Sequence, residues 1–198
     1  MPALPFVIEL EGLEIARGFD GLLRGPPDPA ILTAGYAVSG DAMHLADRML
    51  HRFDATGPFP KRFAAAKKPR IAKEVSSGTG QVRFVVLTIA LEEDGGDDVA
   101  RLYGALERPA RLKLFASDDP GVDVLSLSQL DDTWNQTRPA HLLVDGDDVS
   151  RGCKSDKWIG CVALSFAPTE PATWRNRRLN FLSPDERNDW TLFARTRC

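Results

Sequence analysis

The chain has 198 residues, 43% of them apolar and 27% charged, with a formal net charge of -3. That length suits a single domain over residues 1–198 with a sizeable core, and the composition excludes a disordered or fibrous chain. The total charge gives no pointer to nucleic acid, and no run of eighteen apolar residues offers a transmembrane helix. The opening Met-Pro-Ala-Leu-Pro-Phe lacks the basic and apolar regions of a secretory signal. Cys153, Cys161 and Cys198 are odd in number and have no metal-ligand spacing, which fits reduced thiols. A cytoplasmic protein is therefore expected.

In chain order, Ile8, Leu10, Leu13 and Ile15 alternate with Glu9, Glu11 and Glu14 around a slip at Gly12. This predicts a half-buried strand carrying a bulge. A breaker-rich loop over 18–29, containing Asp20 and the Asp28-Pro29 dipeptide, leads to an apolar strand over 30–38. Residues 41–53 set Ala42, Leu45, Ala46, Met49 and Phe53 at helical spacing behind Asp41, so a helix is expected. His44, Asp47 and His51 would share its polar face, a metal-competent spacing that more often marks a solvated face.

Residues 57–73 form a basic segment, read as an exposed loop, with Lys61, Arg62, Lys67, Lys68, Arg70 and Lys73 and no carboxylate. Such a cluster attracts phosphates at about 1 kcal/mol per cation near an anionic surface. Phe59 and Phe63 could insert at an interface or stack on bases, while a solvated loop is the plain alternative. Residues 82–91 are almost continuously apolar and predict a central strand covered on both faces. Asp97 or Asp98 then caps a helix that presents Val99, Leu102, Tyr103 and Leu106 and stops before Pro109. Strands are expected over 111–116 and 122–127, and a loop anchored by Trp134 over 129–139.

In residues 142–166 an apolar strand ends in Asp145, Asp147 and Asp148, and Asp156 precedes a second apolar strand. Carboxylates at a strand-to-strand loop can share a hard cation such as calcium, or serve as solvated turn residues. Residues 174–182 are rich in arginine, with Arg175, Arg177 and Arg178. Ser183-Pro184-Asp185-Glu186 reads as a helix start that would dock Trp190, Leu192 and Phe193, with a strand from Trp190 as the alternative.

A first strand, an Asp-containing loop, an Asp-Pro dipeptide and a second strand resemble the opening of a C2 domain. The stretch from Asp145 through Asp147 to Asp156-Lys-Trp-Ile-Gly resembles that family's other cation loop. The resemblance covers about a third of the chain. It implies Asp20, Asp28, Asp145, Asp147 and Asp156 as calcium ligands, with a lysine-rich cluster that meets anionic lipid.

The expected fold is mainly β: an antiparallel, C2-like sandwich with two or three inserted helices, α/β being the alternative. The expected function is a non-catalytic binding module, using the Asp loops with calcium and the basic segment to engage an anionic membrane surface or a protein partner. The second reading is a metal-free structural or interaction subunit of a larger, bacterial-type assembly. An enzyme is the third, although no phosphate-binding loop, dinucleotide fingerprint, nucleophile elbow or zinc-protease motif is present.

Overall fold

The computed structural model describes residues 3–18, 27–54, 59–76, 81–115, 124–131, 141–153, 156–169 and 171–198. The fold is mainly β, with three antiparallel sheets and two helices. In chain order the elements are β1 (Ala3–Arg17), β2 (Pro29–Ser39), β3 (Ala42–Arg52), β4 (Lys61–Arg62), β5 (Arg70–Ser76) and β6 (Val82–Glu92). Then come α1 (Asp98–Ala105), β7 (Leu112–Phe115), β8 (Leu125–Ser126), β9 (His141–Val144), β10 (Asp147–Asp148) and α2 (Val149–Gly152). The chain closes with β11 (Lys157–Phe166), β12 (Trp174–Leu182) and β13 (Asp189–Arg197).

The middle layer is a four-stranded sheet in the order β11-β6-β2-β3. Its central strands are buried on both faces, which is why β6 reads as an unbroken apolar run. One face packs on a sheet of order β12-β13-β1-β4, in which β5 also pairs with β1. Phe6, Ile8, Leu10, Phe84, Val86, Val162, Phe181 and Leu192 fill that interface. The other face is covered by α1 and the small sheet β10-β9-β7-β8, through Leu32, Leu87, Leu102, Leu114 and Leu142. Gly35 is required where the layers meet, because a Cβ there would sit 2.1 Å from the Phe6 ring. That ring stacks on Phe84 at 4.7 Å. Among the described residues no helix is long and apolar enough to cross a membrane.

Strand β1 shifts register between Leu10 and Gly12, the slip its pattern predicted. The helix expected over 41–53 is instead β3. A register shift opposite Gly35/Tyr36 leaves Ala46 as an extra residue, so the two-residue alternation is broken there. Met43 and Leu45 pack on one core and Ala46 and Met49 on the other, and apolar residues on both sides of a bulge imitate helical spacing. The basic segment is not one open loop. Its described residues form β4, a 3-10 turn at Ala65–Lys67 and the first part of β5. The helix start expected at Ser183 is a turn: Ser183 Oγ accepts from the Asn188 N–H at 3.0 Å, and Glu186 takes φ 56. The chain then enters β13, the alternative that the sequence had offered.

Candidate anion-binding face

Alternation along paired strands decides what the outer face of the β12-β13-β1 sheet presents. Leu179, Phe181, Leu192, Ala194, Phe6 and Ile8 point inward to the core. Their neighbours point outward, so the cross-strand partners Trp174 and Arg197, Asn176 and Arg195, and Arg178 and Phe193 share the outer face. Pairing of β1 places Val7 beside Arg197, Glu9 beside Arg195 and Gly12 beside Phe193. On the far side of β1, Arg70 lies across from Glu9 and Arg62 across from Gly12. Gly12 permits that approach, since a Cβ would lie 2.2 Å from the Lys61 carbonyl oxygen.

The aromatic groups organise the cations. The Arg62 guanidinium lies 3.6 Å from the Phe193 ring centre, and that of Arg178 lies 5.7 Å from it. Arg195 and Arg197 lie 4.2 and 6.0 Å from Trp174, whose side chain is 41% exposed. Such contacts hold guanidinium planes without neutralising them. Arg195 is also paired with Glu9 at 2.7 Å, and Lys68 reaches Glu9 at 3.2 Å and Glu11 at 3.0 Å. By contrast Arg62, Arg70, Arg178 and Arg197 have no ion pair among the described residues.

The cations expected to act together from the basic segment are therefore divided. Arg62 and Arg70 join the outer face, and Lys68 lies within the Glu9–Glu11 network. Lys73 points the other way, to Asp47 at 3.3 Å, while Lys61 donates to the Asp54 carbonyl. Lys67 is exposed in the 3-10 turn. Composition could not reveal Phe193, Arg195 and Arg197 as members of this face. Period-two reading of residues 192–197, where Leu192, Ala194 and Thr196 alternate with Phe193, Arg195 and Arg197, could have done so.

Of the residues expected to hold calcium, Asp145 and Asp156 have side-chain partners within the fold. Asp145 and Gly146 both take positive φ, 56° and 93°, and form the two-residue turn of the β9–β10 hairpin. Asp145 also meets Arg111 at 3.1 Å. Asp147 lies exposed in β10, and Asp148 caps α2 by accepting from the Ser150 N–H at 3.0 Å. Asp156 is buried, and its carboxylate accepts from the backbone N–H groups of Asp94, Gly96 and Val99 at 3.0, 3.2 and 3.1 Å. The expected cap position of α1 is occupied by Asp97, but Asp97 makes no side-chain cap bond. Asp156, at the mouth of β11, caps the helix from the other end of the loop. Asp28 is exposed, and Asp20 lies outside the described residues. Among the described residues no group of three or more His, Cys, Asp or Glu side chains is placed to hold a metal.

A Ser–His contact also emerges, with His141 Nδ1 2.8 Å from Ser150 Oγ. The hydroxyl donates to Asp148 at 2.5 Å, so its proton is directed to the carboxylate and the imidazole is not placed to remove it. Burial pushes the Cys153 thiol up to about 11, with Asp98 adding to the rise, and burial raises Cys161 as well. Thiols raised in this way are poor nucleophiles at neutral pH. No family model matches the chain, and no curated protein matches it either.

Proposed function

We propose that the protein is a non-catalytic binding module that takes an anionic partner on the outer face of the β12-β13-β1 sheet. One observation carries the reading: Arg62, Arg70, Arg178 and Arg197 lie on this face without ion pairs among the described residues, beside the exposed Trp174. Arginine and tryptophan are the side chains that concentrate binding energy at protein interfaces. A guanidinium fork meets carboxylate or phosphate with two parallel hydrogen bonds. Anions are met directly, so calcium is not required.

The test is titration calorimetry with poly-glutamate, a single-stranded oligonucleotide and phosphatidylserine vesicles, in chelator and again in millimolar calcium. Binding of at least one probe is expected in chelator, weakening as salt is raised. It should fall at least tenfold in the double variant Arg62→Glu, Arg178→Glu. If no probe binds, or the variant binds as well as the parent, the reading fails. Binding that appears only with calcium would move the site to Asp28, Asp145 and Asp147.

A further inference from the structure

We infer that the anionic partner is an extended, carboxylate-bearing protein segment that adds to β12 as one more antiparallel or parallel strand. This deepens the reading above and rests on it. Strand β12 ends its sheet: its nine residues pair with β13 alone, so one side of its backbone has no ladder among the described residues. An edge of that length is a template for β-augmentation.

The side chains of β12 fit such a guest on both sides. Trp174, Asn176, Arg178 and Asn180 lie on the outer side. Arg175 and Arg177 lie on the inner side, where Arg177 stands 5.2 Å from the Phe166 ring centre and donates to Thr196 Oγ1 at 3.1 Å. Arg177 is half-buried and has no carboxylate partner among the described residues. Burial, and then Arg175 beside it, lower its pKa. A half-buried guanidinium with no carboxylate partner gains from one, and an incoming strand would supply it.

A polyanion lying flat on the outer face would reach Arg178 but not Arg175 and Arg177. A strand sends alternate side chains to both sides and reaches all three. Phosphate esters and lipid headgroups also lack the alternating N–H and C=O groups that the edge requires. A second copy of β12 is disfavoured too, because it would bring more cations and no carboxylate to the edge.

Two other edges, β3 and β4, offer less. In β3, Arg52 bonds Glu93 at 2.5 and 2.8 Å, Arg48 is held by Glu107 and the Tyr103 carbonyl, and Asp47 meets Lys73. Strand β4 has two residues and is followed by a 3-10 turn.

The experiment uses the full chain and a nine-residue peptide of alternating Glu-Glu and Thr-Thr pairs, which sends carboxylates to both sides of a strand. Two controls are its Gln/Thr analogue and the same Glu/Thr peptide N-methylated at consecutive central residues, which blocks both edges of the strand. Calorimetry is expected to show both controls binding at least tenfold more weakly than the parent. Hydrogen exchange should slow at β12 amides when the parent binds. Arg175→Met with Arg177→Met should weaken the parent peptide at least tenfold while the melting temperature holds. Three results would overturn the strand: the N-methylated peptide binding as tightly as the parent, poly-glutamate binding while the alternating peptide does not, or only oligonucleotide or vesicles binding. If any of these appears with charge-reversal sensitivity at Arg62 and Arg178, the anion-binding face survives without the strand. If nothing binds, both fall.

Discussion

Strands β3 and β12 are both edges, and both carry several charged side chains, yet they treat that charge in opposite ways. In β3 the charges are satisfied within the molecule: Arg48 clamps α1 through Glu107 and the Tyr103 carbonyl, its guanidinium 4.0 Å from the Tyr103 ring centre. Arg52 takes Glu93 as a bidentate partner, and Asp47 takes Lys73. In β12, Arg175, Arg177 and Arg178 have no carboxylate partner among the described residues. Charge that closes an edge against its own fold supports stability. Charge left open on an edge does little for the stability of the isolated chain, and the proposed strand partner would use it.

The contrast can be pressed hardest at its limiting case. Asp156 is a charge wholly committed inside the fold, and Asp156→Ala removes the acceptor of three backbone N–H groups at once. A loss of about 3 kcal/mol or more is expected, since each buried donor left unsatisfied costs about 1–3 kcal/mol. Urea unfolding measures it, and a loss below about 1 kcal/mol would mean that water takes over the cap. Next in size, Arg48→Met should cost about 1–2 kcal/mol through the lost bonds to Tyr103 and Glu107. On the opposite edge, Arg177→Met should change stability by no more than about 0.5 kcal/mol in either direction. Equal costs at Arg48 and Arg177 would erase the distinction between the two edges.

What the sequence made legible was local. The bulge at Gly12, the doubly covered β6 and the α1 boundary at Asp97 each follow from patterns within about ten residues. Each hidden feature depended on a distant strand. The use of Asp156 cannot be read without knowing that β11 begins beside the loop after β6, where Lys157 pairs with Glu92. The basic segment could be seen as a cluster, but its division among an outer face, the Glu9–Glu11 network and Asp47 is set by pairing with β1 and by packing against β3. In residues 142–166 the carboxylate pattern was real, and turn geometry, helix capping and loop bonding account for Asp145, Asp148 and Asp156 in turn. In each case a residue type narrowed the chemistry, while register chose among the uses.

The smallest expected effect lies on β3 itself and separates its edges by pH. His51 is half-buried, with the Phe53 and Phe63 rings steeply inclined to it at 4.7 and 4.8 Å. Burial there lowers its pKa below the ordinary value of 6.5. The unfolded chain therefore takes up the proton first as pH falls, so the contribution of His51 is fully present above about pH 6.5 and is lost as pH drops through the folded value. Protonation would put a new cation on β3 in a half-buried site between two phenyl rings. The urea midpoint of the parent should fall further between pH 7.5 and pH 5 than that of His51→Leu, which keeps an apolar contact and cannot titrate. Parallel slopes for the two proteins would remove His51 from the account, and would leave β3 stabilised by its ion pairs and its core contacts alone. A steeper slope in the parent would show that β3 excludes unmatched charge from its edge, the property that β12 lacks.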